Sequence, residues 1–229
     1  MSDNELDIEQ SGVVINNIVT AFGKGMSQAN RNDIRNCLHY CNLAADKAHP
    51  DDDKGTAWYR VFTSALKSFA FFEIRDKDER LTVDSTAVTL DGVAVNLIAK
   101  AVGGAASAGI QAATVLPLIG DALAGLKRDD NAANLFKDKS RRHNGALFVV
   151  AACVESEQGD VYMALGVVGS REATTNTQLL FGNYQSNSTS TYGASTLLGF
   201  NPSVYARIRE DVLVKLGDKA VGAFAEFPI

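Results

Sequence analysis

The chain is of moderate length and weakly acidic. It has 229 residues, of which 46% are hydrophobic and 21% are charged, and its formal net charge at pH 7 is −5. A chain of this length can bury enough surface to fold without staples, and its three cysteines are too few for a disulfide framework. The negative charge disfavours a general nucleic-acid-binding protein.

The N-terminal part of the sequence predicts two helices. Residues 1–7 are acidic and polar, unlike a signal peptide, so we expect synthesis in the cytoplasm without one. Apolar residues recur at helical spacing over 27–47, which predicts a helix that Pro50 ends. A stripe from Trp58 to Phe72 predicts a second, core-facing helix over residues 56–72. Residues 75–80 predict a turn, and the β-branched residues of 81–90 predict a strand.

Residues 101–120 form an uncharged segment that is long enough for a membrane span. The segment is rich in alanine and glycine, however, and Gly103, Gly104 and Pro117 interrupt it. We interpret it as part of a helix pair, at 92–102 and 107–125, that packs over an apolar sheet. The same helices would offer their apolar surface to lipid if they moved.

Beyond residue 145 the pattern changes to that of strands. Residues 146–154 and 161–168 are apolar on both faces, which predicts a hairpin of central strands. Residues 177–181 and 191–200 predict two more strands, and a final helix runs from Asn201 to Gly217 with Val204 and Val212 on its apolar face. We therefore expect an α+β fold, with helical layers on both faces of an antiparallel sheet.

The sequence contains no recognisable catalytic motif. It has no glycine-rich phosphate loop, no GxSxG elbow and no HExxH metal motif. Its three histidines, His39, His49 and His143, belong to no pattern that singles out a nucleophile or a base. We therefore expect no enzyme, no catalytic residue, no cofactor and no small-molecule substrate.

The cysteines fit a structural role better than a chemical one. Cys37 and Cys41 are four residues apart on one helix face, but a zinc site normally uses CxxC pairs with four ligands. We interpret both as buried apolar residues, and we expect no metal. Cys153 lies within an apolar strand and is first interpreted as an inert core thiol.

A basic cluster follows the apolar helices. Its members attract anionic lipid headgroups or sulfated glycans, each charge contributing up to about 1 kcal/mol at a membrane surface. The alternative is a solvated turn. The cluster consists of Lys137, Lys139, Arg141 and Arg142, followed by His143.

The arrangement of residues 92–216 resembles the Cyt-like cytolysin superfamily, which includes the Cyt δ-endotoxins, volvatoxin and the virulence factor Evf. The resemblance rests on the interrupted apolar helix pair, the short segment at 131–138 and the strand pair ALFVVAACVESEQGDVYMALGVVGS at 146–170. It implies one Cyt-like domain over residues 1–229. The implied fold has three α/β/α layers, in which helix hairpins cover both faces of a central antiparallel sheet.

The resemblance also implies a membrane-active toxin. The helices would detach, and the strands at 146–155, 161–169, 177–184 and 190–199 would oligomerise or insert into the lipid membrane of a target cell, outside the producing cell. Lipid would then replace the helical cover. The lipid-engaging residues would be Val149, Ala151, Cys153, Val161, Met163, Leu165, Val167, Leu179 and Phe181.

Two non-lytic alternatives remain open at this point. The branch of the family that contains Evf implies a virulence factor with a fatty acyl chain, such as palmitate, on a cysteine of a central strand, and Cys153 alone fits that position. The third hypothesis is an assembly-forming or inhibitory binding protein that keeps the fold without lytic activity.

Overall fold

The computed structural model describes residues 9–51, 55–81, 90–103, 112–142, 145–170, 191–217 and 224–229. The helices are α1 (Gln28–Ala48), α2 (Thr56–Ser68), α3 (Leu90–Val102), α4 (Ala112–Arg128), α5 (Asp130–Ser140), α6 (Pro202–Tyr205) and α7 (Arg209–Leu216). The strands are β1 (Ser11–Ile15), β2 (Ile18–Phe22), β3 (Phe71–Leu81), β4 (Arg141–Arg142), β5 (Gly145–Glu155), β6 (Val161–Ser170), β7 (Thr191–Phe200) and β8 (Phe224–Pro228).

One sheet of eight strands runs through the described residues, in the order β3-β7-β6-β5-β2-β1-β8, with β4 paired to β5. The pairs are antiparallel except for β2 and β5, which run parallel. The long strands β5, β6 and β7 are neighbours inside this order, each paired on both sides, as expected for strands that are apolar on both faces.

Helices cover both faces of this sheet, which confirms the predicted α+β fold of three layers. On one face, α1 and α2 contribute Leu38 and Phe62 to a core that also includes Val149 of β5. On the other face, α3, α4 and α5 pack over Val150 and its neighbours. Alternating residues of one strand therefore belong to two separate cores, as the period of two requires.

The helix predicted over 27–47 is confirmed as α1, and Ser27 caps it by accepting from the backbone N–H of Asn30 at 3.3 Å. The predicted helix pair corresponds to α3 and α4, although residues 104–111 lie outside the described ranges. Pro117 is accommodated inside α4. The short segment at 131–138 belongs to a further helix, α5.

The turn predicted over 75–80 is wrong, because these residues belong to β3. This strand lies at one end of the described strand order, and its exposed charged residues Glu73, Arg75 and Asp76 discourage edge-to-edge pairing. The second predicted helix ends earlier than expected, since α2 ends at Ser68 and the chain reverses at Ala70, whose φ is +67°. Phe72 therefore lies on β3 and is 54% exposed. Of the strand predicted over 81–90, Leu81 ends β3 and residues 82–89 lie outside the described ranges.

The final helix is shorter and more broken than its sequence pattern predicts. It is divided into α6 and α7, so Val204 and Val212 do not share one apolar face. Val212 is buried, whereas Val204 is 46% exposed. Two N-terminal strands and β8 were not predicted, and together they extend the sheet beyond β5.

Candidate functional site

The described residues of the predicted lipid-engaging set share one face of β5 and β6. They occupy alternating positions of each strand, and the antiparallel register places the two strands' contributions side by side. All of them are 0–1% exposed and belong to the core beneath α1 and α2. Leu179 and Phe181 lie outside the described residues. The described members are Val149, Ala151, Cys153, Val161, Met163, Leu165 and Val167.

The opposite face of the same strands forms an equally apolar surface, which the sequence-based set did not include. Its residues are buried beneath α3, α4 and α5. The strand alternation contained the signal for this face, since neighbours of the predicted residues are themselves apolar. The residues of this second face are Phe148, Val150 and Ala152 of β5, Ala164 and Val168 of β6, and Leu197 of β7.

The helix α3 makes a very close approach to the sheet at Gly166 of β6. A Cβ atom on Gly166 would lie 3.0 Å from the carbonyl oxygen of Ala94 and 3.1 Å from Cγ1 of Ile98. The missing side chain therefore lets the α3 backbone rest almost directly on the strand. The Ile98 side chain makes an apolar contact at this point, and the Asp91–Lys127 ion pair, at 2.7 Å, links α3 to α4.

By contrast, α1 is attached to its surroundings by polar side chains. The Oε2 atom of Glu155, at the end of β5, accepts from the backbone N–H of Ser27 at 2.9 Å and from Nδ2 of Asn30 at 3.0 Å. Further along α1, both carboxylate oxygens of Asp33 accept from Arg209 of α7, at 2.8 and 2.6 Å. These contacts fix both the start and the first turns of the helix.

Arg31 adds a buried cation to this attachment. Its guanidinium donates to the carbonyl oxygens of Met26, Glu9 and Gly23 at 2.9–3.0 Å and to Oγ of Ser11 at 2.8 Å. Burial lowers the pKa of Arg31 from its ordinary value. A cavity of about 30 Å³ lies beside the guanidinium, which is room for water and far too little for an acyl chain. The cavity is lined by Ser11, Val13, Phe22, Gln28, Arg31, Arg35 and Glu226.

Cys153 lies at the centre of the sheet with its thiol fully buried. It is opposite Met163 on β6 and Phe22 on β2. Burial raises the pKa of the thiol, and the positive charge of Arg31 offsets only part of that rise. A neutral, inaccessible thiol is a poor nucleophile. An acyl chain on Cys153 would therefore need α1 to move away from the strand.

The other two cysteines are buried in α1, as expected for core residues. Cys37 and Cys41 are both 0% exposed and pack with Leu38 in the core beneath α1 and α2. Burial raises the pKa of both thiols. Within the ranges that the structure covers, no group of three or more histidine, cysteine or acidic side chains is arranged to hold a metal ion.

The predicted basic cluster is divided by the fold. Arg141 and Arg142 are consecutive residues of β4 and so point to opposite faces. The Arg142 side chain is only 9% exposed and its Nη2 atom pairs with Oδ1 of Asp46 at 2.8 Å, so its charge is already compensated within the fold. Lys139 and Arg141 are exposed and Lys137 is half-buried, so these three remain available at the surface of α5 and β4.

Among the described helices, none is both long and apolar enough to cross a membrane. The described part of the 101–120 segment instead contributes buried side chains such as Ile119 to the second core.

Comparison with solved structures finds a distant likeness in fold. No protein family matches the chain, and no curated protein matches it. The chain is similar to a solved structure titled "Structure of the Evf virulence factor", with 10% sequence identity and a TM-score of 0.38. The superposition covers 86% of this chain and 77% of that chain. At this level of similarity, function has to be argued from the chain's own residues.

Proposed function

We propose that this chain is a membrane-active cytolysin, stored in a covered form and acting without enzymatic chemistry. The observation that carries the proposal is the burial of β5, β6 and β7 on both faces by two separate layers of helices. In water such strands need a cover. In a bilayer, lipid can replace that cover, provided that the strands satisfy their backbone hydrogen bonds by pairing with one another.

The proposal includes the surroundings in which the protein acts. Released outside the producing cell, it would assemble with further copies of itself on a target membrane and contribute to virulence. The surface formed by Lys137, Lys139 and Arg141 would make the first contact with anionic headgroups.

The two covers differ in how they are held, and this difference supports an order of events. The α3–α4 cover meets the sheet through apolar contacts such as that of Ile98 with Gly166, which lipid chains can replace. The α1–α2 cover is held by polar anchors such as Glu155. Lipid cannot replace these hydrogen bonds. We therefore expect the α3–α4 cover to detach first.

A reversible covalent lock tests whether the α3–α4 cover has to detach. In the double variant Ile98→Cys/Gly166→Cys, the 3.1 Å spacing between Ile98 Cγ1 and a Cβ at position 166 brings the two thiols within reach of a disulfide. We expect the oxidised variant to release no dye from liposomes. The reduced variant should release dye as the single variant Gly166→Cys does, since a Cβ at position 166 meets the Ala94 carbonyl in both proteins. Each single variant serves as a matched control.

Two results would count against the proposal. If the wild type releases no dye from anionic, zwitterionic or sterol-containing vesicles, the protein is not a cytolysin. If the oxidised double variant is as active as the reduced one, α3 is not a cover that must leave. If light scattering then shows that the protein assembles in the absence of lipid, the hypothesis of a non-lytic assembly protein is favoured.

A further inference from the structure

The turn between β1 and β2 places two asparagine side chains beneath α1. Asn16 has a positive φ of +54°, a conformation that asparagine tolerates better than most residues. Asn16 is 8% exposed and Asn17 is 1% exposed, so both amides are buried and need hydrogen-bond partners. His39 and Asn42, three residues apart on the same face of α1, supply them.

These side chains form a continuous chain of hydrogen bonds from the sheet to the helix. Nδ2 of Asn17 donates to the carbonyl oxygen of Leu147 at 3.0 Å. Oδ1 of Asn17 accepts from Nδ2 of Asn42. Oδ1 of Asn42 accepts from Nδ2 of Asn16 at 3.0 Å, and the same Asn16 nitrogen lies 3.0 Å from Nδ1 of His39.

The direction of this chain is fixed at its first member. The carbonyl oxygen of Leu147 can only accept, so Asn17 must present its amide nitrogen there and its oxygen to Asn42. Asn42 must then present its nitrogen to Asn17 and its oxygen to Asn16. Asn16 in turn must present its nitrogen to the imidazole. His39 therefore accepts at Nδ1, which requires an imidazole without a proton on that nitrogen.

We propose that this hydrogen-bond chain is a proton-sensitive latch that holds α1 on the sheet while His39 is neutral and loosens it when His39 is protonated. If Nδ1 of His39 carried a proton, its N–H would face the amide N–H of Asn16, and neither group could accept a hydrogen bond. Rotating the Asn16 amide does not help, because its oxygen would then face the oxygen of Asn42. If the amides of Asn42 and Asn17 were rotated as well, the Asn17 oxygen would face the Leu147 carbonyl oxygen, and two acceptors would meet there.

The charged groups around His39 leave this conflict in place. Phe224 of β8 contacts the imidazole edge to face, with ring centroids 5.3 Å apart. Arg35, one turn earlier on α1, lies 4.9 Å above the same phenyl ring and forms an ion pair with Glu226 of β8. These two charges compensate each other. The groups that the turn and β5 contribute to the hydrogen-bond chain, namely Asn16, Asn17 and the Leu147 carbonyl, are neutral.

Acidification is therefore expected to loosen α1. The fold requires the neutral imidazole, so this part of the stability is present at neutral pH and is lost as the pH falls through the range in which histidines titrate, from about pH 8 to about pH 5. One unsatisfied buried hydrogen-bond contact is expected to raise the ratio of molecules with α1 loosened to molecules with α1 packed on the sheet by about 10- to 100-fold. The loosening itself does not depend on the proposed cytolysin function.

The state of the imidazole can be read directly in the wild type. With only three histidines in the chain, nitrogen chemical shifts of their rings can be assigned by NMR. We expect His39 at neutral pH to carry its proton on Nε2. A proton on Nδ1 would overturn the proposal, and this measurement does not depend on any variant folding.

The variant His39→Asn tests the consequence. Its amide oxygen can accept from Asn16 in place of Nδ1, but it does not titrate. Unfolding in urea, followed by the fluorescence of the single tryptophan, Trp58, should show a loss of stability between about pH 7.5 and about pH 5.5 in the wild type. His39→Asn should show about 10-fold less change in its unfolding constant over that range. The matched control His49→Asn, at the C-terminal end of α1, should behave as the wild type.

The outcomes separate the latch from the proposed function. Equal pH dependence in the wild type and in His39→Asn would rule out the latch. The same proteins are then added to vesicles of phosphatidylcholine and phosphatidylserine at both pH values. A latch that opens without dye release would contradict only the cytolysin proposal. Dye release by a wild type whose stability in the absence of lipid does not change with pH would contradict only the latch.

Discussion

Asp46 of α1 and Trp58 of α2 are joined by a hydrogen bond, in which the indole Nε1–H donates to Oδ1 of Asp46 at 2.7 Å. The same oxygen pairs with Arg142. One carboxylate therefore connects two helices of the cover to the short strand β4. Replacing it removes a hydrogen-bond acceptor from a fully buried indole.

Asp46→Ala is expected to lower the free energy of unfolding by about 1–3 kcal/mol, because the indole and the Arg142 guanidinium both lose a partner. Urea unfolding followed by Trp58 fluorescence measures the change. The control Asp138→Ala removes an exposed carboxylate that lies 3.9 Å from Arg141, and its effect should stay within about 0.5 kcal/mol. Equal effects of the two variants would show that Asp46 has no special role.

Gly166→Val tests the close contact of α3 with β6. The added side chain would collide with the Ala94 carbonyl, so we expect a loss of about 1–3 kcal/mol in the free energy of unfolding. Gly120→Ala is the matched control, since a Cβ there meets nothing within 4 Å and lies inside α4. It should leave stability unchanged or raise it by up to about 1 kcal/mol. Thermal unfolding of both variants decides the question.

The three cysteine thiols are expected to be unreactive in the folded protein. All are buried, and burial raises their pKa values, so the reactive thiolate is scarce near neutral pH. A colorimetric disulfide reagent should detect no thiol in the native protein and all three in guanidinium chloride. If protein from its native source shows only two thiols together with an added acyl mass, the acyl hypothesis for Cys153 is favoured.

The exposed part of the basic cluster is expected to govern binding to anionic vesicles. Lys137→Gln/Lys139→Gln/Arg141→Gln should weaken this binding by up to about 1 kcal/mol per charge and leave binding to neutral vesicles unchanged. Vesicle co-sedimentation at low and high salt measures the loss. The control Arg207→Gln/Lys215→Gln removes two exposed charges, one in the turn between α6 and α7 and one in α7. An equal loss per charge in the control would mean that the cluster is not the contact surface.

The central sheet could be predicted because strands with two apolar faces leave a clear signal in the sequence. The edges could not be predicted in the same way. The charged residues of β3 suggest a turn when considered alone, and only their pairing with β7 makes them a strand. The strand β8 is short and depends on a partner near the other end of the sequence. The apolar runs on either side of Asn16 and Asn17 did carry a hairpin signal.

In the candidate site, too, some features could be predicted from the sequence and others could not. Alternation placed the seven described lipid-set residues on one face, but no local pattern separates Arg142 from Arg141. Their environments differ because Arg142 pairs with Asp46, which lies almost a hundred positions earlier in the sequence. The contact of His39 with Asn16 likewise joins a helix to a turn 23 residues away. Such contacts depend on the tertiary fold and leave no spacing to recognise.

The pairing of β1 with β8, and of β2 with β5, has a consequence for synthesis of the chain. When the first hairpin leaves the ribosome, its parallel partner has not been made, and its outer partner is among the last residues described. The sheet therefore closes only after translation has passed both, through contacts of high contact order that form slowly. Until then the apolar strands are exposed to water and can aggregate. A chaperone present during translation should therefore raise the yield of native protein more than one added after release.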